Sequence, residues 1–91
     1  MTTTKKLKLG ELLITPNAKR SIHLPDALKA LIRHQNGDYG EVSEADKEAN
    51  VEALEAGDRL LSAYLDRNGV RFWIITEADR YCTTILLPED Y

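Results

Sequence analysis

This chain has very little cysteine, few aromatic residues and no long apolar run. Cys82 is the only cysteine among the 91 residues, which excludes an internal disulfide and a zinc site built from several cysteines. The apolar runs, such as Phe72 to Ile75, are far shorter than the roughly 20 residues of a membrane-spanning helix. The opening residues, MTTTKK, do not begin a signal peptide. We therefore expect a cytoplasmic protein with no membrane partner.

Ligands for a metal ion are also scarce. The two histidines, His23 and His34, are separated by ten residues, and Cys82 is distant from both. A metal site needs three or four converging ligands, so we expect no bound metal. No motif for an organic cofactor is present either, and we expect none.

Charge is distributed unevenly along the chain. Residues 1–34 carry a net charge of +5, residues 38–58 carry −7, and residues 59–91 carry −1, which gives −3 in total. An acidic chain does not attract nucleic acid by its overall charge, although a local basic patch still does so. The hydrophobic fraction of 43% suffices for one modest core. We expect a single domain over residues 1–91, with a flexible tail at 1–6.

Capping signals predict three helices. Thr15-Pro16 opens a short one, Pro25-Asp26 opens a second that stops at Asn36-Gly37, and Ser43 opens a third that stops at Gly57. The acidic residues of the third helix are expected to face water. The alternative is an acidic surface that binds a partner.

Strand signals occupy the rest of the chain. Leu7–Thr15 reads as one strand, and Arg59–Asp66 and Val70–Thr76 form a hairpin around Asn68-Gly69, which suits a two-residue type I′ turn. Tyr81–Leu87 adds a further strand. The pattern predicts an α+β fold, in which two to three helices pack on an antiparallel sheet of about four strands with a C-terminal three-stranded meander.

The predicted turn fixes a register and therefore two faces of the sheet. It places Tyr64 opposite Trp73, and both share a face with Thr84. These residues belong to the core if a helix covers them. If the face is open, they form a partner-binding surface for protein or a platform for stacking bases.

A charged corner, Glu77 to Arg80, joins the last two strands. It reads first as a surface turn. The alternative is an anion site, in which Arg80 and Arg59 hold a phosphate and Glu77 acts as a base. His34 offers a similar choice, since a histidine near a helix end satisfies terminal carbonyls or transfers protons. The catalytic candidates are therefore Glu77, Arg80, Arg59 and His34.

Several of these segments carry a resemblance. The stretches RHQNGDYG (33–40), GDRLLSAY (57–64) and WIITEADRYCTTILLPEDY (73–91), together with Asn50, resemble a family of short bacterial proteins of plasmids and integrated elements. Its members bear labels such as "plasmid-related protein" and "type I restriction endonuclease subunit M". The chain lacks the glycine-rich cofactor loop of a methyltransferase, so the resemblance implies only a mobile-element protein.

The order of two helices followed by a meander is also similar to that of barnase-like ribonucleases. That similarity matches Arg59 to a phosphate-binding arginine. Arg80, however, stands where a catalytic histidine is needed, and arginine does not exchange protons near neutral pH. The lack of a complete catalytic motif and the acidic helix favour a protein that binds a macromolecule without catalysis, and the resemblance implies a small accessory protein of mobile elements. The alternative is a ribonuclease-like toxin or nuclease using Arg59 and Arg80.

Overall fold

Capping side chains stand at the start of the first and third helices. A computed structural model describes residues 6–91, so most of the tail expected at 1–6 lies outside the described residues. Thr15 accepts a hydrogen bond from the N–H of Ala18, and Ser43 accepts one from Asp46. The elements in chain order are β1 (Glu11–Ile14), α1 (Pro16–Ser21), α2 (Leu24–Gln35), α3 (Glu44–Ala56), β2 (Leu60–Leu65), β3 (Arg71–Thr76) and β4 (Cys82–Leu86). Within residues 6–91, no helix combines the length and apolar character needed to cross a membrane.

The four strands form one mixed sheet in the order β1-β4-β3-β2. The meander of β2, β3 and β4 is antiparallel, whereas β1 runs parallel to β4. The α+β fold is confirmed, with this one parallel pair as the departure from an antiparallel sheet. Strand β1 covers only four residues of the predicted Leu7–Thr15 run.

The predicted hairpin register is wrong by one residue. Tyr64 lies opposite Phe72, not Trp73, because the loop contains three residues, 67–69, rather than two. The carboxylate of Asp66 causes this: it accepts hydrogen bonds from the N–H groups of Asn68 and Val70, both at 2.9 Å. Gly69 takes the positive φ of 81° that such a three-residue loop requires. Because side chains alternate between the two faces of a sheet, a shift of one residue between β2 and β3 places Tyr64 and Trp73 on opposite faces.

The second turn is also longer than predicted. Thr76 pairs with Thr83 instead of Tyr81, a shift of two residues that leaves the relative faces of β3 and β4 unchanged. Trp73 and Thr84 therefore do share a face, as predicted.

One face of the sheet is covered by α1 and α2. Their buried residues pack against Tyr64, Phe72, Ile74 and Ile85 to form the main core. A smaller cluster joins Ala53 of α3 to Leu60 at one end of the sheet. This packing puts Tyr64 in the interior, 1% exposed, and leaves Trp73 on the opposite face.

The outer edge of β2 is covered by side chain and loop. The Asn50 amide donates to the Leu61 carbonyl at 2.9 Å and accepts the Leu61 N–H at 3.2 Å. Further along, the N–H of Ala63 donates to Tyr39 and its carbonyl accepts from Glu41. Gly40 permits this approach, since a Cβ there would stand 2.1 Å from the Ala63 oxygen.

Candidate functional site

Arg80 lies in the corner between β3 and β4, and its guanidinium is bound to main chain. It donates to the carbonyl of Ala53 at 2.9 Å and to the carbonyl of Asp58. Ala53 lies in the last turn of α3, where the helix dipole places partial negative charge, and Asp58 follows shortly after the helix. The arginine therefore ties the corner to the end of a helix.

Arg59 points elsewhere. Its Nε lies 3.8 Å from the Glu77 carboxylate, and its guanidinium carbon stands 5.0 Å from the centre of the Tyr91 ring. Arg80 lines a separate depression with Lys6 and Lys8. Arg59 and Arg80 thus line different depressions and contact different groups.

His34 is buried in the core, 1% exposed, and lies in a chain of hydrogen bonds. Its Nδ1 lies 2.6 Å from Ser62 Oγ, and its Nε2 lies 2.8 Å from Thr76 Oγ1. The Thr76 hydroxyl lies 2.7 Å from that of Thr83, which donates to the Leu9 carbonyl. Neither Asp38, which pairs with Arg33, nor an arginine of the corner is a hydrogen-bond partner of this ring.

The direction of that chain fixes the state of the ring. Because Thr83 donates to a carbonyl, its oxygen must accept from Thr76, and Thr76 must then accept from His34 Nε2–H. Nδ1 is left to accept from Ser62. Burial, with a smaller contribution from the charge of Arg80, lowers the pKa of His34 to about 4. The imidazole is neutral near pH 7 and all its polar atoms are used.

Tyr64 cannot contribute to a surface. Its hydroxyl donates to the Asp38 carbonyl at 2.7 Å, and the Arg33 guanidinium stands 4.8 Å from its ring centre. Burial raises the pKa of this phenol to about 12. Of the predicted trio, Trp73 and Thr84 remain together, both half-buried, on the face of the sheet opposite α1 and α2.

A cleft of about 310 Å³ opens beside Trp73. Trp73 and Tyr91 form an edge-on aromatic pair with ring centres 5.7 Å apart, and Arg59 stands over the tyrosine. Helix α3 and strand β2 supply the remaining lining residues: Asp46, Ala49, Asn50 and Leu61. Thr84 shares the face but does not line this cleft. The lining thus combines two aromatic rings, a guanidinium and a carboxylate.

A turn at Pro88–Asp90 positions Tyr91. The Asp90 carboxylate accepts hydrogen bonds from the side chains of Thr15 and Asn17 and from the N–H of Leu87. These donors hold the pKa of Asp90 below its usual value. The turn is thereby anchored to the start of α1, and the chain returns over β3.

The sequence predicts Trp73 and Arg59 as candidate residues but carries no such prediction for Tyr91 or Leu61. Tyr91 follows the last strand and meets Trp73 only through the Asp90 anchor. Asp46 belongs to the third helix, whose acidic residues are predicted to face water, with a partner-binding surface as the alternative. The one available signal was the Pro88 to Asp90 stretch, since proline followed by acidic residues favours a turn that reverses the chain.

Comparison with protein-family models, curated proteins and solved structures finds no match to this chain.

Proposed function

We propose that this protein binds a segment of another protein in the cleft of Arg59, Trp73 and Tyr91, and that it acts without catalysis. The observation that carries the proposal is the pair of half-buried Trp73 and exposed Tyr91, with the Arg59 guanidinium over the tyrosine ring. Tryptophan, tyrosine and arginine are the residues that most often dominate the energy of protein interfaces. The wider role, as an accessory protein of mobile elements, stays a prediction from the resemblance.

Charge around the cleft selects the partner. Asp46 lines it, and the remaining surface of the same helix carries the exposed Glu44, Glu48, Glu52 and Glu55. The negative potential of this helix would repel phosphate groups and attract lysine or arginine side chains. The expected ligand is a protein segment with an apolar or aromatic anchor flanked by basic residues.

The contacts of the arginines disfavour the ribonuclease-like alternative. Phosphate binding by Arg80 would require it to give up its hydrogen bonds to the end of α3. His34, the other proton-transfer candidate, lies inside the core with both nitrogens engaged. We therefore expect the purified protein to leave RNA uncleaved and its expression not to arrest growth.

The cleft carries its own reporter, because Trp73 is the only tryptophan in the chain. Peptides selected from a displayed random library are titrated while the emission of Trp73 is measured, in parallel with single-stranded RNA and DNA. Peptides with a basic and aromatic pattern should change the emission saturably. Nucleic acids should not.

A matched pair of variants localises the binding. Tyr91→Ala should weaken peptide affinity about tenfold or more, as loss of an interface hot spot does. Tyr81→Ala removes a tyrosine of similar exposure, 67% against 69%, and should leave affinity unchanged. Saturable binding of RNA without any peptide binding, or equal losses in the two variants, would refute the proposal.

A further inference from the structure

Strand β1 forms an edge of the sheet that the described residues leave uncovered. Glu11 and Thr15 direct their N–H groups to β4, where they donate to the carbonyls of Tyr81 and Ile85. By alternation, the N–H and C=O groups of Leu12 and Ile14 point outward. Within residues 6–91, no main-chain or side-chain partner reaches them, in contrast to the covered edge of β2.

An apolar surface adjoins this edge. A groove of about 260 Å³ runs between β1 and α2, and its lining is made only of alanine, leucine and isoleucine. Five of the large apolar side chains that are exposed in the described chain lie on this edge or on the neighbouring helix: Leu12, Leu13, Leu24, Leu28 and Ile32. Contiguous exposed apolar surface beside an open strand edge is typical of an interaction site. We call these five residues and the outer edge of β1 the edge surface.

We infer that the edge surface binds a second copy of this chain by antiparallel pairing of β1 with β1. One register uses every outward group: Leu12 of each copy opposite Ile14 of the other, with the two Leu13 residues meeting at the two-fold axis. It forms hydrogen bonds from both outward residues of each copy. The same axis brings the exposed apolar residues of α2 in the two copies, Leu24, Leu28 and Ile32, toward each other on the helix-covered face of the sheet.

Charge permits this pairing. Glu11 is the one charged residue of β1, and in the central register it lies opposite Thr15 of the other copy rather than opposite a second glutamate. The five side chains expose from 42% to 61% of their surface. Burying them with the strand edge removes about 1,000 Å² from the two copies together, the lower limit of a specific interface. A dimer of modest affinity is therefore expected.

The inference is independent of the proposed function. The Trp73 cleft lies on the face opposite α2, so Tyr91→Ala should leave self-association unchanged. A dimer without peptide binding, or peptide binding by a monomer, would separate the two ideas.

Sedimentation across a concentration series tests the dimer. The unmodified protein should approach twice the 10.3 kDa mass of one chain as its concentration rises. Leu28→Lys should weaken association about tenfold or more. Val51→Lys places the same charge at a side chain of nearly equal exposure on α3, 57% against 61%, and should have no effect.

Hydrogen exchange supplies a second readout. In the dimer, the amides of Leu12 and Ile14 should become protected as concentration rises, and Leu12→Lys, which keeps the backbone, should weaken association as Leu28→Lys does. A single monomeric species at concentrations on the order of 1 mM, where interfaces of millimolar affinity are half-occupied, would overturn the inference. A dimer equally sensitive to Val51→Lys, or with unprotected Leu12 and Ile14 amides, would overturn it too.

Discussion

The side chain of Asn50 stands in for a neighbouring strand at Leu61. Its amide group donates to the Leu61 carbonyl and its oxygen accepts the Leu61 N–H, so one residue of α3 satisfies both outward main-chain groups at this point of β2. A sheet edge satisfied in this way is closed to pairing with another chain.

Replacing Asn50 should therefore be costly. Asn50→Ala removes both hydrogen bonds, and we expect the free energy of unfolding to fall by about 1–3 kcal/mol. Asn17→Ala, at an exposed asparagine that binds Asp90, should cost less than about 1 kcal/mol. Urea unfolding of the two variants measures the difference. Equal losses would show that the Asn50 contacts contribute no more than a surface hydrogen bond.

Acid should destabilise the protein through His34. Its pKa is about 4 in the folded state and about 6.5 in an unfolded chain, so the unfolded state binds more protons between these values. Stability is fully present above pH 6.5 and is lost as the pH falls toward and through 4, by on the order of 3 kcal/mol in total. Unfolding measured from pH 7 to pH 4 should show this loss.

A titration followed by nuclear magnetic resonance checks the cause directly. The ring signals of His34 should titrate near pH 4, with the proton of the neutral form on Nε2. His23→Gln should keep the pH dependence of stability between 4 and 6.5. Titration of His34 near 6.5 would contradict the buried network.

The corner offers a comparison between two strained residues. Asp79 and Arg80 both adopt a positive φ, 65° and 61°, which costs a residue with a side chain about 1–2 kcal/mol. Asp79→Gly relieves this strain and should change stability by less than about 1 kcal/mol, since glycine also loosens the unfolded chain. Arg80→Gly should destabilise by about 1–2 kcal/mol, because the bonds to Ala53 and Asp58 are lost. Thermal unfolding should rank Asp79→Gly above Arg80→Gly, and the reverse order would exclude a structural role for the guanidinium.

Asp66 should set the register of the first hairpin. Its carboxylate accepts hydrogen bonds from the N–H groups of His23, Asn68 and Val70. Asp66→Ala should lower stability by about 2 kcal/mol or more, whereas Asp58→Ala, at an exposed aspartate, should lower it by less than about 0.5 kcal/mol. Cross-strand contacts should place Ser62 opposite Ile74 in the unmodified protein. In the Asp66 variant, a register with Ala63 opposite Ile74 would show that the loop has shortened to a two-residue turn.

Local signals predicted the elements well. Helix caps depend on hydrogen bonds between residues at most four positions apart, so the sequence predicts them locally. The caps at Thr15 and Ser43 and the helix end at Gly57 are all present in the structure. The predicted register of the first hairpin was wrong because Asn68-Gly69 suits loops of two or three residues. The Asp66 carboxylate, which also accepts a hydrogen bond from the N–H of His23, stabilises the three-residue loop. The direction of β1 had no local signal, since it depends on which edge of the meander remains free.

The candidate site was harder to predict, because its residues meet only in three dimensions. A one-residue change of register removed Tyr64 from the face of Trp73 and placed it under α2. The corner of Arg80 is predicted first as a surface turn and alternatively as an anion site, and its guanidinium binds the carbonyls of Ala53 and Asp58. Arg59 lines the cleft, whereas Arg80 binds main-chain carbonyls. Sequence spacing alone does not predict these different contacts.

The parallel pairing of β1 with β4 also dictates an order of folding. The hydroxyl of Thr83 binds the carbonyl of Leu9, 74 positions earlier in the chain, whereas β2, β3 and β4 are joined by short turns. Contacts across such a long separation close slowly, so the meander should assemble first and β1 should dock last. Until it docks, the edge of β4 is open, and a newly made chain passes through a period in which its central sheet is exposed to other chains.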